Sequence, residues 1–243
     1  ESYGLHFVLA LSGKRKDGAP LGLDAADFDH DGKLGLLDAH TWASIEAVSF
    51  DVPTTTSERW LRHATAALPA AAPSEGRALD PALAPEAAAV ARQLGASLGL
   101  TSERAVERRW GELGKQIDSL EDGIEDAEDA LAAREAEEAA LLLEHWPVLD
   151  DPFHPDFEAT FDNNRGAIES ALSASPQAHA RAEQSARTAA LYDHLRGLQL
   201  EEARVLRLRR AYETQHRAAA LLKRGGPAAK YYLSLLACER AAP

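Results

Sequence analysis

The chain has 243 residues, with 39 Asp plus Glu against 26 Lys plus Arg and a formal net charge of -13, a balance that repels nucleic-acid phosphates and anionic lipid headgroups and excludes both as expected partners. Hydrophobic residues are 45% of the chain but aromatics only 6%, which favours closely approaching helices over a bulky β-sandwich core. No apolar run approaches the ~20 residues that cross a bilayer, and the amino terminus lacks a signal-peptide pattern, so a soluble and cytoplasmic protein is expected.

The first element is the apolar segment from Ser2 to Ser12, read as a helix, and the turn-rich stretch from Gly13 to Gly22 ends it. Because the chain starts at Glu1 and holds no Met, the polypeptide is expected to be a processed product or a fragment.

The loop from Asp27 to Asp38 follows, with the pattern of an EF-hand loop: Asp at positions 1, 3, 5 and 12, Gly32 at position 6 and an apolar residue at position 8. A hard cation takes six to eight oxygens, so the expected ligands are Asp27, Asp29, Asp31, the backbone carbonyl of Lys33, and Asp38. Calcium is the expected ion. Asp in place of Glu at position 12 shortens the last ligand, which weakens binding or brings in a water and leaves magnesium as the alternative. The residues before the loop, Gly18 to Leu23, do not form a helical pattern, so a calmodulin-like switch is not expected.

Leu36, Leu37, His40, Trp42, Ile45 and Val48 suit a helix leaving the loop, which Pro53 interrupts. Thr54 to Glu58 opens another short helix that buries Trp60, Leu61 and Ala64. Prolines at 69, 73, 81 and 85 among small and polar residues mark 69–85 as a linker, dividing a metal-loop segment, 1–68, from a helical coiled-coil domain, 86–243.

Beyond the linker a helix over Glu86 to Leu98 is stopped by Gly99. The next carries Val106, Trp110, Leu113, Ile117, Leu120, Ile124, Ala127 and Leu131 at alternating spacings of four and three, the seam of a coiled coil, with an acidic outer face from Asp118 to Asp129. Pro147 ends it, and a shorter helix covers Phe157 to Leu172. A second long helix runs from Pro176 to the Gly225-Gly226-Pro227 stop, with Leu191, Leu198, Val205, Tyr212 and Ala219 at seven-residue intervals. The two are expected to pack as a long antiparallel hairpin, reaching roughly 60 to 70 Å at ~1.5 Å per residue. The acidic face of the first long helix is expected to lie in solvent, while Arg204, Arg207, Arg209, Arg210 and Arg217 make the second basic where the first is acidic, so that pairing the two helices offsets charge and helps fix their relative direction. In the apolar terminal helix Cys238 is expected to be a buried thiol. His145, His154, His179, His194 and His216 are scattered without ligand spacing, and no Gly-x-Ser-x-Gly elbow is present, so no catalytic centre is expected within the chain.

Three stretches resemble the carboxy-terminal part of bacterial caspase-like cysteine peptidases, the clan that includes metacaspases and legumain-like enzymes. They are Tyr3 to Phe7 with Leu9 to Gly13, Asp29 to Leu34 leading into Leu36 to His40, and Asp51 to Glu58. The resemblance covers residues ~2–61 alone. It implies a mainly α chain that completes an α/β core from another polypeptide. The catalytic His and Cys would belong to that companion, and the helical hairpin would dock a protein substrate or regulator. The alternative, independent of the resemblance, is a non-enzymatic calcium-binding interaction protein.

Overall fold

The computed structural model describes residues 2–68, 80 and 83–241, and the described chain is mainly helical, with no strand among these residues. The Ser2 hydroxyl accepts the Leu5 N–H at 3.3 Å and starts α1, Tyr3–Leu11. Gly13, at φ 67°, then turns the chain, and a single antiparallel bridge joins Lys14 to Pro20. One helical turn, α2 (Leu23–Ala26), leads into the Asp-rich loop, and α3 (Leu36–Glu46) leaves it.

The start of α4 (Thr56–Ala64) is a reciprocal cap: Thr55 Oγ1 accepts the Glu58 N–H at 3.2 Å, and Glu58 Oε2 accepts the Thr55 N–H at 3.3 Å. Pro85 occupies the first position of α5 (Pro85–Leu98), where its missing N–H costs nothing, and Gly99 at φ 68° ends that helix. Then come α6 (Glu103–His145), a 3-10 turn at Pro147–Asp150, α7 (Phe157–Ala174), α8 (Pro176–Arg224) and α9 (Gly226–Arg240). None of these helices is long and apolar enough to cross a membrane.

The residues form two compact units, one from the segment ending at Gly114 together with that from Gln199 onward, the other Lys115–Leu198. In the first unit α3 packs on α1, α5 and α9, and α4 packs on α9. Leu37, Leu61, Ala218, Leu221, Ala229, Tyr232 and Leu236 make one buried cluster from four of these helices. Burying each leucine of this cluster stabilises by roughly 1.5 to 3 kcal/mol before entropy is counted, and each alanine methyl by about 0.8 kcal/mol. The expected linker 69–85 lies outside the described residues except for Asp80 and 83–85, and of these Ala84 is buried against α8, accepting a bond from Gln215 Nε2 at 2.7 Å. Residues on both sides of that stretch share the first unit's core.

Along α6 the eight expected seam positions are all buried or half-buried. In the first unit Arg109 is bidentate to Glu201 at 2.7 Å and Glu103 meets His216 at 3.0 Å. In the second, the Ala127 carbonyl accepts from Gln184 Nε2 at 2.9 Å, Tyr192 bonds Glu128, and Arg181 pairs with Glu138.

Two expectations, on Ala219 and Cys238, need correction. Ala219 is exposed, because α6 begins at Glu103, opposite His216, and nothing of α6 reaches further along that face of α8. The arginines of α8 find partners within the chain, Arg209 on Glu107 of α6, Arg204 on the Ser97 hydroxyl, Arg207 and Arg210 on backbone carbonyls and Arg217 on its neighbour Glu213, and the acidic residues of the run from Asp118 to Asp129 are exposed, as expected. The pairing register sets residues 201–216 against 103–109, well short of that run. Cys238 is exposed, since the buried face of α9 runs through Ala229, Tyr232 and Leu236, and two further residues turn the helix by about 200°.

Candidate metal centre

The loop between α2 and α3 is organised by its own carboxylates. Asp27 Oδ1 accepts the Asp31 N–H at 3.1 Å and Oδ2 the Gly32 N–H at 2.9 Å, drawing the chain into a tight turn. Two residues of that turn lie in the left-handed region, His30 at φ 61° and Gly32 at φ 85°. For Gly32 this is free of side-chain penalty, whereas for His30 it carries a modest strain.

Asp38, on the first turn of α3 and only 2% exposed, ties the two ends of the loop together. Its Oδ1 accepts the Phe28 N–H at 2.8 Å and its Oδ2 the Gly35 N–H at 2.9 Å. Burial pushes the Asp38 carboxyl up to about 6, against the pull of those two N–H groups, and the charges of Asp29 and Asp27 push the same way as burial. Asp29 is likewise raised, again by burial first.

Asp27, Asp29 and Asp38 each offer a carboxylate oxygen within 4.8 Å of the others, an arrangement of hard donors that could hold a metal ion. Asp31 stands apart from that cluster. Its side chain is exposed and its Oδ1 accepts the Lys33 N–H at 2.9 Å in a local turn. Lys33 is exposed beside it.

Two neighbours of the loop come from far along the chain. Arg240, in the last turn of α9, lies 3.4 Å from Asp29 Oδ2 and is bidentate to Glu86 of α5, at 2.7 and 3.1 Å. Gly35 is fixed by the same approach: a Cβ there would stand 2.3 Å from the Arg240 carbonyl oxygen. Neither contact has a local sequence signal, because the groups meet only once α9 has folded back on α3.

The stretches that carry the caspase-like resemblance form α1, the loop with α3, and the start of α4, with α3 set against α5 and α9 of this same chain. No family model matches the chain, and neither a curated protein nor a solved structure matches it.

Proposed function

We propose that the loop from Asp27 to Asp38 holds one divalent cation, calcium ahead of magnesium, and that the chain is a cation-pinned helical interaction protein. The observation that carries this is the convergence of the Asp27, Asp29 and Asp38 carboxylates within 4.8 Å. Three negative groups so placed repel one another in partly desolvated surroundings, and a bound cation would supply the opposing charge. The Asp31 carboxylate and the Lys33 carbonyl complete the expected donor set on the exposed side. The cation's role is structural: Asp38 links the loop to α3, and Arg240 links it to α9, so occupancy stiffens the place where these elements meet.

The antiparallel hairpin belongs to this proposal as its docking element. Index pairs such as 127 with 184 and 138 with 181, in which one number falls as the other rises, support it in the second unit. The test is isothermal titration with calcium and then magnesium on the full chain after chelation. One saturable calcium event is expected, absent in the double variant Asp27→Ala, Asp29→Ala; an unchanged titration in that variant would remove the assignment.

A second function, a fragment of a caspase-like cysteine endopeptidase, is favoured by helix α1. Its sequence is apolar nearly all round, yet only His6 and Ala10 are buried, and Leu5 and Val8 remain 45% and 62% exposed. An all-round apolar helix is normally covered on both faces, which suits a segment that also packs on a companion polypeptide. Intact-mass analysis of natively purified material decides this: a co-purifying polypeptide with a catalytic His and Cys is the expected result, and a lone 26.2 kDa species contradicts it.

A further inference from the structure

The first unit contains an interior cavity of about 50 Å³ between α3, the 53–58 segment, α5, α8 and α9. At ~10–15 Å³ for each water, that is room for a few waters or for one small polyatomic ion. Leu37, Ala87, Val90 and Ala211 give it apolar walls, and Arg207, Arg210 and Thr214 of α8 bring polar groups to it. Arg210, Thr214 and Pro53 are partly exposed, placing the solvent side of the cavity there, while Arg207 lies deep, at 4% exposure.

Arg207 is an unusual residue to bury in this way. Its Nη1–H donates to the Ser44 carbonyl at 2.9 Å and its Nη2–H to the Ser49 carbonyl at 3.1 Å, while Nε has no hydrogen-bond acceptor. A guanidinium carries five N–H donors, and here both acceptors are neutral. No ion pair joins it to a carboxylate among the described residues. Burial and the neighbouring charge of Arg204 pull its pKa down to about 10, with Asp51 and Tyr3 opposing through space. Arg210, one helical turn on, adds a second positive charge to the same wall and spends one donor on the Val52 carbonyl at 2.9 Å.

Two carboxylates also line the cavity, and both are occupied. Glu86 is bidentate to Arg240, and Glu58 accepts the Thr55 N–H within the field of Arg62 and Arg210. Arg207 therefore stands at the cavity with no carboxylate in contact with it, while Asp51 acts on Arg207, and Glu58 and Glu213 on Arg210, only through space. Buried cations are ordinarily matched by an anion or lose their charge, and an arginine holds its charge.

We propose that this cavity binds a small oxyanion, of the size of phosphate, with Arg207 as its buried donor and Arg210 as its donor at the mouth. The planar, multiply donating guanidinium is the side chain best suited to a phosphate or carboxylate oxygen pair. None of the loop's carboxylates lines this cavity, and phosphate is expected to bind there with no cation in the loop.

The test is a titration of the full chain with inorganic phosphate, in EDTA and at ionic strength held constant with chloride, read by thermal unfolding and by phosphorus NMR line width. A saturable rise in Tm with line broadening is expected, as mass action requires of a ligand that binds only the folded state. Arg210→Gln should weaken the phosphate affinity at least tenfold, and Arg207→Met should remove it. Because Arg207 also secures the Ser44 and Ser49 carbonyls, its variant can fail to fold, in which case Arg210→Gln decides. A Tm in phosphate equal to that in matched chloride, or an Arg210→Gln protein that binds phosphate as tightly as the parent, overturns the proposal.

Discussion

At the scale of single residues, burial shifts the protonation equilibria of polar groups inside the first unit. His40 on α3 meets the Tyr3 hydroxyl at 2.7 Å, and burial pulls its pKa from 6.5 to about 4, against the opposing charges of Glu239 and Glu86. A histidine whose folded pKa is depressed stays neutral in the native state while the unfolded chain takes up a proton near pH 6.5. Its contribution is therefore complete above pH 6.5 and is lost as the pH falls towards 4, by up to ~3 kcal/mol. Urea unfolding of the parent and of His40→Gln at pH 7 and pH 4.5 should show a smaller acid loss in the variant. Equal losses in the two proteins would mean that His40 is not held neutral by the fold.

The Asp-rich loop shows at this scale what sequence can and cannot disclose. Spacing alone selects Asp27, Asp29 and Asp38, since the alternation of carboxylates around Gly32 encodes a turn that gathers them. The same spacing also names Asp31, whose carboxylate closes a local turn on the Lys33 N–H and lies outside the group of three. A motif gives the order of donors and not which of them the fold brings within reach of one another. Arg240 and Gly35 were not legible at all.

At the scale of elements, periodicity served well where it reports burial. Val106, Leu113, Ile117, Ile124 and Ala127 are all buried on α6, as their four-and-three spacing requires. Replacing both Ile117 and Ile124 with Asp places charge in the seam of the second unit and should cost about 3 kcal/mol for each residue. Thermal unfolding followed by far-UV circular dichroism should register that loss, and a melting curve identical to the parent's would contradict the seam. Register was harder to read than periodicity. Charge alone set an acidic helix against a basic one, whereas Glu103 with His216 and Arg109 with Glu201 fix a pairing that leaves the acidic run from Asp118 to Asp129 facing other surroundings. A heptad pattern repeats every seven residues, so many registers satisfy it equally, and specific polar pairs choose among them.

For the whole molecule, contacts between remote parts of the chain decide the architecture of the first unit. The Ser57 N–H donates to Glu239 at 2.8 Å across 182 residues of sequence, Arg207 secures the carbonyls of Ser44 and Ser49, and Arg217 Nη1 reaches Thr65 Oγ1 at 2.9 Å. Composition and apolar spacing foretold a mainly helical chain. They carried no information about which helices share a core, because a side chain bonded to a partner so distant leaves no periodic mark. The Pro-rich stretch 69–85 reads as a separator in sequence, yet Leu37 and Leu61 before it share one buried cluster with Ala218, Tyr232 and Leu236 after it.

As a cation site, the loop would stiffen the meeting point of α3 and α9. Amide hydrogen exchange of the full chain, compared after chelation and in saturating calcium, tests this most directly. Slower exchange in calcium over residues 23–48 and the end of α9 is the predicted result, with the second unit, Lys115–Leu198, unchanged. Identical exchange in the two conditions over residues 23–48 would contradict it.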